Sequence, residues 1–403
     1  MNKSVVLPDM EKAGSTAFPI LLGLSASHLL NDMNQSLLTA IYPTVKESLG
    51  LNFTQIGIVT LAYQAVASLL QPLVGMATDK KSYPHSLSIA MLFTLSGLLL
   101  LSVATRYDVL IGAAMLVGVG SSIFHPESSR IARMASGGRH GMAQSLFQVG
   151  GNAGSSLGPL LAAFIVGVRG QGSIAWFAIA PLVASAVLWK IGDWAATQHR
   201  AGRRQPKSTD TGLSPAQTRT ALILLLVLIF SKHVYLASLS SYYTFYLIQT
   251  FGLSVQDAQL CLFAFLAAAA VGTVAGGPIG DRFGRKHVIW FSILGTLPFS
   301  LALPYVGLVP TILLTIVIGL ILSSAFSAIV VFGQELMPTK IGTIAGLFFG
   351  LAFGIGGLGA AGLGWLADET SIGFVYKLCG FLPALGLLAA FLPDMKKLDK
   401  QHA

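Results

Sequence analysis

Gly277-Pro-Ile-Gly-Asp281-Arg282-Phe-Gly284-Arg285-Lys286 stands between two long apolar runs and has a partner earlier in the chain. Gly75-Met-Ala-Thr-Asp79-Lys80 lies 202 residues before it, and Gly50-Leu51 precedes Gly252-Leu253 by the same offset. That offset is half of the 403 residues. In both halves the element follows the second apolar run, as a duplicated unit requires. Parallel repeats about an axis along the membrane normal are a transporter architecture, with the substrate site between the repeats near the midplane.

Outward from that stretch, the composition fixes the surroundings. Hydrophobic residues make up 54% and charged residues 10%, with a mean hydropathy of +0.72. About 25% charged residues is usual for a soluble domain, so this chain does not have the polar surface to face water. Apolar stretches of membrane-spanning length recur from Phe18 almost to Pro393. They predict helical spans at 18–43, 53–78, 85–105, 109–131, 140–167, 173–194, 218–248, 255–280, 287–306, 308–333, 341–367 and 373–393. An outer-membrane barrel is excluded, because its strands would alternate apolar and polar. The first run contains Asp32 and is too long for a signal-peptide core, so it reads as an uncleaved first span. Cys261 and Cys379 both lie in apolar runs and read as small core residues rather than a disulfide or metal pair.

The net charge of +9 orients the chain. Four basic residues, Lys46, Arg106, Arg169 and Lys377, fall on one side, Lys232 falls inside a span, and the other twenty fall on the opposite side. The positive-inside rule then puts both termini in the cytoplasm, and the basicity requires no nucleic-acid partner. The hydrophilic stretch 195–217 reads as a cytoplasmic linker between bundles at 1–194 and 218–403.

The complete G-x-x-x-D-R-x-G-R-K pattern of Gly277–Lys286 resembles the loop signature of the major facilitator superfamily. The resemblance implies an all-α membrane protein of twelve transmembrane helices in two pseudo-symmetric six-helix bundles. It also makes Gly75, Asp79, Lys80, Gly277, Asp281, Arg282, Gly284, Arg285 and Lys286 gating-loop residues. The first copy has Ser82, Tyr83 and Pro84 where glycine and two basic residues would stand, so its latch is expected to be weaker or differently built.

A finer resemblance runs through nearly the whole chain. Phe124-His-Pro-Glu-Ser-Ser-Arg130, Phe147-Gln-Val-Gly-Gly-Asn152, His28-Leu-Leu-Asn-Asp32 and Ser240-Ser-Tyr-Tyr-Thr-Phe-Tyr246 are similar to the fosmidomycin-resistance group of that superfamily. This implies a drug:proton antiporter of the bacterial cytoplasmic (inner) membrane. It would act as a monomer, exporting a small anionic phosphonate, with the proton gradient in place of any cofactor. A proton-coupled uptake symporter for a sugar or organic anion is the alternative on the same fold.

Titratable groups inside spans are costly in lipid and usually functional. Ser25, His28, Asp32 and Gln35 recur at helical spacing and form one polar stripe on the first span. That stripe is either a transport site or an interhelical hydrogen-bond network. His125-Pro126-Glu127 is expected to interrupt the fourth span, since proline frees a carbonyl and kinks a helix. Glu127 with Arg130 is either a coupling site or a static ion pair. Asp32, Glu127 and Arg130 are therefore assigned to proton coupling. The superfamily's usual fourth-span arginine is absent near Ala114.

In the fifth span Gln144, Gln148 and Asn152 share a face, and Gly150, Gly154 and Gly158 form a packing row. Gly154-x-x-x-Gly158-Pro159 resembles the superfamily's antiporter motif, with Ala162-Ala163 replacing its last two glycines. Gly342, Gly346, Gly350 and Gly354 form a matching row in the eleventh span. Lys232 heads a stripe with Tyr235, Tyr242 and Tyr246, a point charge beside directional hydroxyls. It is either an anion anchor or a lysine neutralised by Asp32 or Glu127. His233 is expected to turn away. Lys232, His28, Gln35, His125, Gln144, Gln148, Asn152, Tyr235, Tyr242 and Tyr246 make up the expected substrate site. No catalytic or metal-site motif is present.

Overall fold

A computed structural model describes residues 16–40, 45, 48–51, 53–161, 165–200, 212–253 and 255–395. The first fifteen residues, Ala162-Ala163, the middle of the expected linker at 201–211 and the basic C-terminal tail fall outside the described residues. Among those described, every expected span contains a helix, and there is no strand. In chain order these are α1 (Phe18–Ala40), α2 (Phe53–Lys80), α3 (Ser86–Ser102), α4 (Tyr107–Ala135), α5 (His140–Leu161) and α6 (Ile179–Arg200). The second half continues with α7 (Pro215–Phe251), α8 (Val255–Phe283), α9 (Arg285–Leu294, resumed at Leu297–Ala302) and α10 (Leu308–Ser323, resumed at Ala325–Leu336). It closes with α11 (Ile341–Glu369) and α12 (Ile372–Cys379, resumed as a 3-10 helix at Leu382–Phe391).

Eight helical stretches among the described residues are long and apolar enough to cross a membrane. Helices α1, α2 and α5 are not among them, and α3 has 17 residues. Helices α1 and α5 carry buried polar residues, among them Asn31, Asp32 and Gln144. A polar stripe lowers a helix's mean hydropathy while leaving its lipid side apolar.

Local chemistry sets the boundaries. At the start of α7 Ser214 and Gln217 form a capping box with Pro215 in the first turn, and Gly252 ends the helix at φ +68°. Helix α6 runs on to Arg200 and α7 begins at Pro215, so both edges of the expected linker are helical. Gly284 turns the chain between α8 and α9 at φ +98°, a conformation that side chains resist. Contrary to expectation, Pro126 does not interrupt its span. Helix α4 continues through it, because a proline removes one N–H bond while the surrounding helices hold the segment in place.

The apolar cores show how the halves meet. One cluster draws on both half-chains, including Leu24, Phe124 and Phe147 with Leu228, Phe326 and Phe349. The other two clusters each belong to one half: Leu37, Val59, Leu98 and Phe177 in the first, Tyr243, Phe265, Leu322 and Tyr376 in the second. The halves thus share a core at the end nearest the linker and keep separate cores at the other end. Helices α2 with α11, and α5 with α8, form the long contacts between the halves. The Gly150–Gly158 row packs against α1 within its own half, whereas Gly342, Gly346 and Gly350 pack across the halves onto the α2 backbone.

Candidate functional site

A cavity of about 470 Å³ lies between the half-chains, where the shared core gives way to separate ones. Asp32, Gln148 and Asn152 line it from the first half, and Lys232, His233 and Thr273 from the second. Asn152 Nδ2 donates to Thr273 Oγ1 at 3.0 Å and so ties α5 to α8 inside the cavity.

Lys232 is 4% exposed, and its ammonium sits 5.0 Å from the centre of the Phe326 ring. Among the described residues no carboxylate lies within ion-pair distance of it. The reading in which Asp32 or Glu127 neutralises it therefore does not describe this structure. Glu127 is instead paired on its own helix, with Arg130 Nε donating to Glu127 Oε2 at 2.8 Å and both side chains buried.

Asp32 belongs to a second polar centre. His28 Nε2 lies 3.2 Å from Asp32 Oδ2, and His125 Nε2 lies 3.5 Å from Oδ1. Asn31 and Gln35 donate side-chain N–H groups to the same Oδ1, at 2.9 and 3.4 Å, and Gln35 in turn accepts from the Tyr63 hydroxyl. On the far side of each ring, His28 Nδ1 lies 2.8 Å from the Phe147 carbonyl and His125 Nδ1 2.9 Å from the Ser121 carbonyl. One ligand-type atom from each of the three residues falls within 4.8 Å of the other two.

Of the remaining expected residues, Gln144 is elsewhere. Its Oε1 accepts from Ser129 Oγ at 2.8 Å, and Ser129 accepts from Gln334 Nε2 at 3.1 Å, a chain joining α4, α5 and α10. The tyrosine stripe also lies elsewhere. Tyr235 and Tyr246 are buried in the core of the second half, Tyr246 stacks on Tyr376 at 4.3 Å between centroids, and Tyr242 packs against the same cluster. The cavity face of α7 is Lys232, His233, Leu236, Ala237 and Ser240. At about 100° per residue, Lys232 marks one edge of that face, and the tyrosines continue beyond the edge. His233 was expected to turn away yet lies within it. Gln64, Thr273 and Phe326 also line the cavity and were not singled out, as each looks like an ordinary helix residue in sequence.

The two loop motifs make matched contacts between the halves. Asp79 accepts the backbone N–H groups of Gly342 and Thr343 and the Thr343 hydroxyl, each at 2.7 Å. Asp281 accepts those of Gly141 and Met142, both at 2.9 Å. Each acid thus caps the first turn of a helix in the opposite half. Arg285 adds ion pairs to Asp281 and Glu335 at 3.0 and 3.1 Å, and Lys286 Nζ donates to the Ala390 and Leu392 carbonyls. Arg282 lies 5.3 Å from the Phe283 ring. Among the described residues no ion pair joins Asp79 to an arginine, and its contacts across the halves are two backbone N–H groups and a hydroxyl.

Residues 24–361 match the family profile of the major facilitator superfamily. The chain belongs to that superfamily. It is a multi-pass membrane transporter. It is 60% identical over 385 residues to the fosmidomycin resistance protein of Escherichia coli (strain K12), covering 95% of each chain. A Bacillus subtilis (strain 168) MFS-type transporter, YfnC, is 39% identical over 399 residues, covering 98% of this chain and 97% of its own. Among solved structures, the transporter FucP in its outward conformation superposes with a TM-score of 0.74 at 14% identity, covering 94% of this chain and all of that one. The human organic anion transporter MFSD10 gives 0.75 at 14% identity with the same coverage, so both show the fold.

Proposed function

We propose that this chain exports a small phosphonate anion, of which fosmidomycin is the test case, across a bacterial cytoplasmic membrane in exchange for protons. The observation that supports it best is Lys232, a buried ammonium at the edge of a cavity between the halves with no carboxylate paired to it among the described residues. A desolvated cation without a counter-ion is costly, and an anionic cargo supplies the missing charge. The 60% identity to a fosmidomycin resistance protein supports the choice of phosphonate.

In this reading the cargo enters from the cytoplasm once the Asp79 and Asp281 latches release. It pairs with Lys232 beside Gln148 and Asn152. The halves then rock, the latches re-form as in this structure, and the anion leaves on the outer side. A proton taken up at the Asp32 centre accompanies the return. Each charge moved through about 100 mV contributes ~2.3 kcal/mol, and the departing anion and entering proton both run down a negative-inside potential. Transport is therefore expected to be electrogenic and to act in the monomer.

The test is fosmidomycin susceptibility of a sensitive bacterium expressing the wild type, Lys232→Ala or Asp32→Asn at equal membrane levels. Protection by the wild type that both variants lose supports the reading. Well-expressed wild type that leaves cells sensitive sends the search to other small anions.

A further inference from the structure

We infer that the exchanged proton resides on the imidazole Nε2 atoms of His28 and His125, held against Asp32, and that the cargo displaces it with a hydrogen-bond donor of its own. This rests on the proton exchange proposed above and names the atoms that perform it.

Each ring's Nδ1 faces a backbone carbonyl, which only accepts, so each Nδ1 carries a hydrogen. In a neutral imidazole the other nitrogen is then a bare lone pair. Both Nε2 atoms are buried, neither has a hydrogen-bond partner among the described residues, and both point at a carboxylate. Acceptor faces acceptor twice, and only an added cation resolves that. The two imidazoles address different oxygens of Asp32, and Oδ1 is also held by two amide donors. Divergent contacts of this kind suit two separate N–H···O bonds. A metal ion would require the lone pairs to meet at one point.

Several helices bring titratable or charged groups up to the two rings. On α1 the facing group is Asp32, and on α4 it is His125, with Glu127 bound to Arg130. Helix α5 offers the Phe147 carbonyl and Gly151 and stacks the Phe147 ring on His28 at 4.1 Å, and α11 brings the Phe349 and Phe353 rings against His125. Tyr63 of α2 reaches the centre through Gln35, and Lys232 and His233 of α7 face it from the cavity. Gly151 keeps the space open, since a methyl group there would fall within 2.7 Å of Asp32 Oδ2.

Charge alone would couple the ions the wrong way. A proton on His28 makes the cavity more positive and attracts an anion instead of expelling it. Exchange requires that cargo and proton compete for the same acceptor. Asp32 provides that acceptor, because it lines the cavity while the two rings stand behind it. A cargo anchored at Lys232 by its anionic end and presenting an O–H or N–H to Asp32 makes the bond that the imidazolium would make. The cargo class is thus an anion with a hydrogen-bond donor at its far end.

The experiment is nitrogen-15 histidine NMR of the full chain in lipid nanodiscs, with His28→Asn and His125→Asn used for assignment among the eight histidines. Both rings are expected to be Nδ1–H tautomers at high pH and to gain a proton at Nε2 as the pH falls. Saturating 3-hydroxypropylphosphonate is expected to make that proton at least about tenfold easier to lose, a downward shift of about one pH unit. Propylphosphonate, which lacks the donor, is expected to produce no downward shift. Rings that keep one protonation state throughout, a hydroxylated phosphonate that leaves the titration unmoved, or a stoichiometric transition metal in the purified protein would each overturn the proposal. Rings that titrate and respond, in a protein that leaves cells sensitive to fosmidomycin, would uphold the proton site and sink only the fosmidomycin assignment.

Discussion

The carboxylate of Asp79 accepts the backbone N–H of Gly342 at 2.7 Å across 263 positions of sequence. Asp281 holds Gly141 in the same way on the other side of the pseudo-symmetry axis. Both bonds join the halves at the end where they share a core, so this end opens only when both are broken. Hydrogen bonds to a charged group contribute about 1.5–3 kcal/mol each. Asp79→Asn with Asp281→Asn is expected to populate the loop-side-open state at least about tenfold more. Spin labels at positions 81 and 340 in a cysteine-free background would report it as a longer distance component. An unchanged distance distribution in the double variant would show that the latches do not hold this end.

The glycines of the two loops do not have equal roles. A Cβ on Gly75 would collide with the Gly342 backbone, whereas one on Gly280 would meet only the side chains of Val288 and Arg285 at 3.7 and 3.8 Å. Glycine to alanine in an open helix position stabilises by about 0.5–1 kcal/mol. Gly280→Ala is therefore expected to raise the melting temperature slightly and preserve drug protection. Gly75→Ala is expected to lower the melting temperature and abolish protection. Equal behaviour of the two variants in melting and susceptibility assays would remove the close approach as the reason for glycine at position 75.

The tyrosines of α7 test where the cavity face ends. Tyr246 stacks on Tyr376 inside the core, so Tyr246→Phe keeps the stack and is expected to leave fosmidomycin protection within about twofold of wild type. Asn152→Ala, which removes the cavity bond to Thr273, is expected to reduce it several-fold. If Tyr246→Phe proved as damaging as Asn152→Ala at equal expression, the hydroxyl would belong to the transport path after all.

Those tyrosines mark the limit of what sequence periodicity reveals. The duplication, the spans and the loop acids were legible because each leaves a repeated or compositional trace, and the structure pairs the two acids with equivalent helix starts. Lys232 and Asp32 were legible because charge inside a span is rare. Which side of Lys232 the cavity occupies was not, since period alone gives a stripe without saying which edge meets open space. The His28–Asp32–His125 contact was half visible: spacing joins His28 to Asp32, but only the packing of α4 on α1 brings in His125. The link from Gln144 through Ser129 to Gln334 was hidden for the same reason, because Gln334 approaches from the opposite half of the chain.

Glu127 is held differently from Asp32. It is 1% exposed and bound to Arg130, which is 4% exposed, and the Glu127–Arg130 pair does not line the cavity. Breaking a buried pair by removing one charge costs about 3–5 kcal/mol, because the partner is left uncompensated, whereas replacing both charges with apolar groups of similar size is often neutral. Glu127→Gln is therefore expected to lower membrane expression and melting temperature, and Glu127→Met with Arg130→Met to restore much of both. A proton carrier would behave otherwise. Its neutral variant would fold normally, still bind the phosphonate, and lose only the pH dependence of transport. Measuring the melting temperature of Glu127→Gln beside its phosphonate binding at two pH values decides between these. A stable, binding-competent protein with pH-independent transport would make Glu127 a coupling acid and displace the static ion pair from this account.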